Sequence, residues 1–298
     1  MWLWPKGFSC KVGMDRLKER TDLARRVAFL TQHGKQDLVK APLESALGCE
    51  LVHTDAYDTD QLGTFTREIA RPGSQLDAAR RKAEIGMTLT GAPVGLASEG
   101  TFGTDPFGGF MPWNTELLLW VDPAHPLEVT GIAHGPAQSL HRTVNSLDEL
   151  MRFAQDAKFP EHHLVMRPEH EDHLQIVKNI HDEQTLVRTF TQLQAASANG
   201  LVFVENDLRA FCNPTRQALI RKACDDLIRK LQSRCPQCQS PGFWVQSQTA
   251  GLPCSACGQK TRLPIAEVWH CKPCQHEEQR PLASAAWADP SRCDFCNP

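Results

Sequence analysis

Short apolar segments alternate with amphipathic stretches along most of this chain. Short apolar runs bounded by turn residues have the length of buried strands, whereas apolar residues at every third or fourth position indicate helices that bury one face. Strands are predicted at Val27–Leu30, Glu50–His53, Val94–Ala97, Leu117–Val121, Leu127–Ile132 and Leu201–Val204. Strands that alternate with helices predict an α/β body, here with a mixed sheet.

Local signals mark the ends of several predicted helices. Gly48 follows a helical pattern over residues 38–47 and suits a helix C-terminus. Ser74, with Asp77 three positions later, is typical of a helix N-cap. A proline preceded by asparagine opens the helix predicted over residues 214–232.

The last quarter of the chain contains four C-x-x-C pairs. A C-x-x-C turn directs two sulfurs towards one point, and two such turns complete a tetrahedral shell at about 2.3 Å from a zinc ion. The pairs therefore predict two structural zinc ions in a double zinc ribbon, because so small a unit cannot build a large core. The ligands are Cys235, Cys238, Cys254, Cys257, Cys271, Cys274, Cys293 and Cys296.

Spacing alone leaves open how these pairs share the two ions. Sequential assignment is the first choice: the first two pairs hold one ion and the last two pairs hold the other. A nested arrangement, in which the two middle pairs share an ion, is the alternative. His270 and His276 lie beside the third pair. They are additional candidate ligands that a four-thiolate shell does not need.

Charge and composition argue against several classes of partner. The formal net charge is −3 at pH 7, so no overall basic field attracts nucleic acid or a membrane surface. From Cys235 onward the basic and acidic side chains cancel, and each four-thiolate zinc shell adds a formal −2, which does not favour nucleic acid. No stretch of about 18 apolar residues indicates a membrane-spanning helix. The start of the chain lacks the pattern of an export signal, so we expect reduced cysteines and a cytoplasmic protein.

The same patterns divide the chain into three predicted parts. Residues 1–25 are expected to be an N-terminal extension with a charged run. Residues 26–232 form the α/β body, and residues 233–298 form the double zinc-ribbon module, through which a protein partner could dock.

Residues 31–35, Thr-Gln-His-Gly-Lys, connect a predicted strand to a predicted helix. Backbone amides at a helix N-terminus, together with a lysine ammonium, can hold phosphate oxygens. Thr31, His33, Gly34 and Lys35 are therefore candidate phosphate ligands. The alternative is an ordinary strand-to-helix turn with a surface lysine.

Glu99 follows the predicted strand Val94–Ala97 and precedes a loop rich in glycine and aromatic residues. A carboxylate at a strand end can hold Mg²⁺ or activate a water molecule, and the aromatic loop could grip a base. The alternative is a surface acid beside a loop that folds on its own aromatic side chains.

Charged side chains also gather after the strand Leu201–Val204. They mix acids with guanidinium groups, which suit phosphate. Asp207 is a candidate catalytic carboxylate, and Arg209 and Arg216 are candidate phosphate ligands. Structural salt bridges would give the same composition.

Several segments together resemble an uncharacterised bacterial family known as a domain of unknown function. The resembling segments are Thr31–Lys35, Gly63–Thr66, Ala97–Gly103, Pro112–Asn114 and Glu205–Arg216. The resemblance runs from Val27 through the C-terminal cysteine pairs, and it implies no activity because the family has none established.

Residues 27–133 also resemble, in the order of their elements, the house-cleaning inosine/xanthosine triphosphate pyrophosphatases. The resemblance rests on the turn at 31–35, the A-x-x-K-A pattern at 79–83 and the acid at a following strand end. It implies an ITPase-like fold, with Lys82 binding phosphate beside the lysine of the turn. It also implies that Glu68 is the nearest counterpart of the metal-binding glutamate.

These observations predict a Mg²⁺-dependent nucleotide or phosphoester hydrolase. Glu99 and Glu68 are expected to hold the metal or activate water, while Lys35, Lys82 and Arg209 bind phosphates. The alternative is a non-catalytic module, in which the body binds a nucleotide or protein and the zinc ribbons dock an RNA or a protein complex. The hydrolase requires the candidate groups to surround one cleft.

Overall fold

A computed structural model describes residues 26–62, 73–282 and 286–298. The predicted N-terminal extension, residues 1–25, and Glu68 lie outside the described residues. The strands are β1 (Arg26–Leu30), β2 (Glu50–Thr54), β3 (Val94–Thr104), β4 (Pro112–Asp122), β5 (Leu127–Pro136), β6 (His141–Val144), β7 (Leu164–Pro168), β8 (Val177–Ile180), β9 (Val202–Asn206), β10 (Trp244–Ala250), β11 (Pro264–His270) and β12 (Glu277–Pro281). The helices are α1 (Gln36–Leu47), α2 (Gln75–Thr90), α3 (Leu147–Asp156), α4 (Glu183–Ala196) and α5 (Pro214–Gln232). None of the helices in these ranges combines the length and apolar content that crossing a membrane requires.

The chain divides into two compact units. The larger unit takes the described parts of 24–121 and 130–228, and the cysteine unit takes 122–129 and 229–298. Helix α5 begins in the larger unit and ends in the cysteine unit.

The central sheet has five strands in the order β2-β1-β3-β4-β5. Strand β1 pairs in parallel with β2 and β3, whereas β3 and β4 are antiparallel. Parallel neighbours require crossover connections, which α1 and α2 provide. The predicted α/β body with a mixed sheet is therefore confirmed.

Strand β3 is much longer than its parallel neighbour. Strand β1 pairs with β3 only as far as Phe29 opposite Leu96, whereas β3 continues to Thr104 alongside β4. The prediction that the strand ends at Ala97 is therefore wrong, because antiparallel pairing with β4 carries it further. Glu99 consequently lies in the middle of β3, opposite Leu117.

The predicted helix ends agree with the structure. Gly48 is left-handed, with φ of 66°, and its amide bonds the Glu44 carbonyl. Ser74 and Asp77 form a reciprocal capping box at the start of α2. Helix α5 has the predicted bounds, residues 214–232.

A second sheet in the larger unit has the antiparallel order β6-β9-β7-β8. Helices α3 and α4 share one apolar core with it, including Phe153 and Phe190. Of its strands only β9 was predicted from the sequence, since β7 lies next to a histidine-rich polar stretch. All five positions of β7 are nonetheless buried.

Close contact between β5 and α5 depends on Gly131. A Cβ atom at this position would lie 2.5 Å from Leu227 Cβ and would also overlap the Ala223 carbonyl. Backbone atoms of a packed helix cannot give way cheaply, so only a residue without a side chain fits here.

We expect Gly131→Ala to lower the free energy of unfolding by about 1–3 kcal/mol or more, because it overpacks this contact. Gly135→Ala is the matched control on the same strand: its Cβ would meet only Leu219 Cδ2, at 3.5 Å. Chemical denaturation of both variants would test this, and equal stability of the two would contradict it.

Candidate functional site

The eight predicted cysteine ligands form two groups of four. Within each group, the sulfur atoms all lie within 4.8 Å of one another. One group contains Cys235, Cys238, Cys271 and Cys274, and the other contains Cys254, Cys257, Cys293 and Cys296. A tetrahedral shell with bonds of about 2.3 Å places its sulfurs about 3.8 Å apart. Two Sγ–Sγ distances in each group, of 3.6–3.8 Å, fit that geometry, so each group could hold a metal ion such as zinc.

Both assignments considered from the sequence, sequential and nested, are wrong. The first cysteine pair shares a group with the third, and the second shares a group with the fourth. The antiparallel hairpin β10–β11 explains this, since it places Trp244 opposite His270 and so brings together the pairs that precede β10 and follow β11. Sequential sharing would have to join pairs at opposite ends of a seven-residue strand, about 20 Å apart. Neither His270 nor His276 belongs to a group.

All four cysteine turns share one backbone hydrogen bond. The amide of the residue after the second cysteine bonds the carbonyl of the first cysteine, for example Gln239 to Cys235 at 2.9 Å. In the first three turns that residue is also left-handed: Gln239, Gly258 and Gln275 have φ of 62°, 72° and 62°. This turn places both thiols of a pair on the same side.

The two groups differ in exposure. In the first group, Cys235 and Cys271 are buried against Phe243, which is 1% exposed. In the second group, Cys257 and Cys296 are exposed. A metal ion in the second group would therefore be the easier one for solvent to reach.

In the larger unit, the turn 31–35 places the amine of Lys35 at the edge of β3 that β1 leaves uncovered. Lys35 is 5% exposed, and its Nζ donates to the Ser98 carbonyl at 3.0 Å and to Ser98 Oγ at 3.3 Å. Gly34 has φ of 68°, which favours glycine. Thr31 is buried, and its backbone bonds Thr54 and the His53 ring.

The electrostatics of Lys35 are unusual for a lysine. Burial lowers its pKa from 10.5 to about 7; the nearby charges of Arg216 and Lys82 act in the same direction, while Glu116 and Glu99 oppose them. The amine therefore changes its charge near neutral pH.

One face of β3 holds an ion pair with α2. Lys82 Nζ lies 2.5 Å from Glu99 Oε1, and these side chains are 13% and 6% exposed. Gln75, in the first turn of α2, donates to the Glu99 carbonyl at 2.9 Å. Ala79 and Ala83 of α2 pack on the same face, against Ala97.

The opposite face of the β3–β4 hairpin holds a second ion pair, because side chains alternate along a strand. Arg216 Nε lies 2.7 Å from Glu116 Oε1, and both side chains are almost fully buried. Arg216 also donates to the Leu208 carbonyl at 2.5 Å. A Cβ on Gly100 would lie 2.5 Å from both Arg216 Nη2 and Glu116 Oε1, so glycine makes room for the pair. Asn114 donates to Glu116 as well, at 3.0 Å.

Sequence reasoning missed Glu116. It directly precedes the apolar run Leu117–Val121, so its only signal was an acid at the start of a predicted buried strand. A charge at such a position requires a partner, and a search for that partner among the basic residues would have included Arg216.

Asp207 and Arg209 form a third pair. Arg209 Nε lies 3.0 Å from Asp207 Oδ1, and Arg209 Nη2 lies 2.5 Å from Oδ2. Burial by itself would raise the pKa of Asp207, but the hydrogen bonds and charge of Arg209 outweigh it and lower that pKa. This pair joins the turn 31–35 through Phe211, since the Arg209 guanidinium lies over that ring and His33 lies 6.2 Å from it.

The structure thus brings most of the candidate residues to one region of the larger unit. Lys35 is near enough to the Lys82–Glu99 pair on one face of β3 and to the Arg216–Glu116 pair on the other for all four charges to act on its pKa. The glycine-rich aromatic loop does not adjoin Glu99, because five further residues of β3, about 17 Å, separate Glu99 from Thr104. Asp105 closes that loop on itself by accepting hydrogen bonds from four of its backbone amides.

Comparison with protein families gives one match. A family model described as a domain of unknown function, DUF6671, covers residues 82–298. The matched range contains both cysteine groups, Lys82, Glu99, Glu116 and Arg216, whereas Lys35 precedes it. A search of curated proteins found no match.

The crossed grouping predicts how paired cysteine substitutions change the metal content. Cys235→Ala combined with Cys274→Ala removes two ligands from one group, so the protein should retain one of two metal ions per chain. Cys235→Ala combined with Cys257→Ala disables both groups and should remove both ions. Elemental analysis of purified protein would check this, and the reverse result would support sequential assignment instead.

The low pKa of Lys35 predicts how stability changes with pH. The unfolded chain keeps this amine protonated to about pH 10.5, whereas the folded protein releases the proton near pH 7. Between those values the unfolded state binds more protons, so the free energy of unfolding rises with pH by up to about 1.4 kcal/mol per unit.

Lys35→Met should remove this contribution, while Lys40→Met, at an exposed position of α1, the helix that Lys35 precedes, should keep it. Urea denaturation from pH 7 to pH 9 would measure the three slopes. An unchanged slope in Lys35→Met would contradict the assignment.

Proposed function

The chain belongs to the DUF6671 family, and we propose that its larger unit is a Mg²⁺-dependent hydrolase of nucleotides or other phosphoesters. The buried amine of Lys35 is the observation that carries this proposal. It lies beside two ion pairs and a strand-to-helix turn, and its bonds are to Ser98 oxygens. No carboxylate among the described residues lies within 4.0 Å of it.

The count of charges around Lys35 favours an anionic ligand. Lys82 is paired with Glu99, and Arg216 is paired with Glu116. Among these described residues, Lys35 is therefore the cation in excess. Burial is the main cause of its low pKa, and the charges of Arg216 and Lys82 add to it. A phosphate oxygen beside Nζ would supply the missing negative charge and restore the protonated form.

The donor atoms near Lys35 suit Mg²⁺ as well as phosphate. Glu99 offers a carboxylate, and Ser98 offers a carbonyl and a hydroxyl oxygen; Mg²⁺ prefers such oxygen ligands and keeps several waters. In this proposal Glu99 holds the ion or accepts the proton of the attacking water, with Glu68 as a further ligand. Lys82 then moves from Glu99 to a phosphate oxygen when substrate binds.

The two arginines have different proposed roles. Arg216 is enclosed by Glu116 and the Leu208 carbonyl, so its proposed role is to position the start of α5. Its charge also adds to the effect of burial in lowering the pKa of Lys35. The Arg209 side chain is 22% exposed and is oriented by Asp207, so it is the guanidinium better placed to reach a phosphate. Asp207 acts by fixing that orientation.

For the cysteine unit we propose two structural zinc ions in a double zinc ribbon. Four thiolates in a tetrahedral arrangement are a preferred zinc shell, and binding would supply folding energy to a unit with a small core. Reduced thiolates of this kind fit a cytoplasmic location.

The exposed aromatic residues of the cysteine unit support a second candidate function. Trp287 and Phe295 are 57% and 75% exposed, close in sequence to the fourth cysteine pair. Aromatic side chains of this exposure are common at protein interfaces. The alternative is therefore a binding module in which the larger unit holds a nucleotide without hydrolysing it, and the cysteine unit docks a protein partner.

Glu99→Gln is expected to lower turnover by at least about 100-fold, because it keeps the shape of the side chain but removes the charge that holds Mg²⁺ or accepts a proton. Glu84→Gln, at an exposed position of α2, is the matched control. Release of phosphate or pyrophosphate from a panel of nucleotides with Mg²⁺ would measure this. Full activity of Glu99→Gln would refute the proposed site, and the absence of any turnover would favour the binding module.

A further inference from the structure

Phe211 is exposed in a place where its neighbours are buried. It lies in a short 3₁₀ turn, Ala210–Cys212, whose other two residues are 0% and 1% exposed. The Phe211 side chain is nevertheless 42% exposed. Because its two neighbours are buried and fix the backbone, the Phe211 ring has a defined position at the surface.

Three side chains surround the Phe211 ring. The Arg209 guanidinium carbon lies 4.8 Å from its centroid. The His33 ring lies 6.2 Å away with an interplanar angle of 33°, and the His163 ring contacts it edge-on at 6.3 Å. The buried Asp207 holds the guanidinium in place by a bidentate contact. The group therefore combines flat, polarisable surfaces in a nearly fixed arrangement.

This aromatic group lies beside the proposed phosphate site. A Cβ on Gly34 would be 3.7 Å from Phe211 Cβ, and the next residue along the chain is Lys35. The turn 31–35 thus connects a phosphate-binding amine with an exposed aromatic surface. A ligand with an anionic end and a planar end could contact both.

We propose that His33, Arg209 and Phe211 form a stacking shelf for a nucleobase, so that the substrates of the larger unit are nucleoside polyphosphates and not phosphoesters in general. The inference rests on the proposed function for its phosphate end. A base could stack on the Phe211 and His33 rings, an arrangement that tolerates any base, while the Arg209 guanidinium packs against the Phe211 ring and supports it. Stacking of this kind changes affinity by about 5- to 150-fold.

Two other exposed aromatic residues of the larger unit lie too far from Lys35 to serve the same ligand. Phe107 and Phe110 are 85% and 92% exposed, but they lie beyond the far end of β3. Six residues of extended chain, about 20 Å, separate Ser98 from Thr104. Phe110 is therefore a suitable control position.

The test measures binding of adenosine triphosphate, guanosine triphosphate and inorganic tripolyphosphate by calorimetry on the full chain, without added divalent cation to suppress turnover. Phe211→Leu keeps the apolar volume without the aromatic face, and Phe211→Ala removes both. Both variants should bind the two nucleotides about 5- to 150-fold more weakly and tripolyphosphate within about twofold of the unsubstituted protein. Phe110→Ala should bind all three probes normally.

The outcomes separate this inference from the proposed function. If tripolyphosphate binds and Lys35→Met weakens it, but Phe211→Leu binds nucleotides normally, the shelf is wrong and the phosphate site stands. If nucleotides bind through Phe211 while Lys35→Met has no effect on either kind of probe, the shelf stands and the phosphate site is wrong. If none of the probes binds, both are wrong.

Discussion

The difference in length between β1 and β3 is the constraint from which the candidate site follows. Strand β1 ends at Leu30, whereas β3 continues to Thr104 because β4 pairs with it throughout. The uncovered edge of β3 leaves the Ser98 carbonyl without a strand partner on that side. The turn after β1 supplies Lys35, whose amine meets that carbonyl in a buried position. An amine held there loses solvation, and this is the main reason that its pKa falls to about 7.

The ion pairs on the two faces of β3 occupy the carboxylates that could otherwise neutralise the Lys35 amine. Glu99 is engaged by Lys82, and Glu116 is engaged by Arg216, so neither carboxylate neutralises Lys35 fully. Breaking either buried pair would leave an uncompensated charge and would be strongly destabilising. A ligand that brings both Mg²⁺ and phosphate could exchange partners with Glu99 and Lys82 without leaving either charge alone, which suits a site that binds an anion when the Lys35 amine is protonated.

The cysteine unit is stabilised differently from the larger unit. Its core is small, and one cysteine group lies at each end of the β10–β11 hairpin. The strands β10 and β11 carry one cysteine pair before the hairpin, one within its connection and one after it. Antiparallel pairing then decides which pairs meet. The group at the open end of the hairpin is buried by Phe243, and the group at the closed end is partly exposed.

The sequence by itself determined the features that depend on local chemistry. Apolar runs and cap residues predicted β1, the capping box at Ser74 and the bounds of α5, because these signals act between residues close in the chain. The eight cysteine ligands were equally evident from their spacing. Tertiary structure decided the rest: strand pairing extended β3 past Glu99, the hairpin grouped the cysteine pairs in a crossed order, and the fold brought Glu116 to Arg216 across 100 residues. Contacts between distant segments depend on topology, which local patterns do not encode, and so only the folded chain could show that Lys35 is close to the charges of two ion pairs.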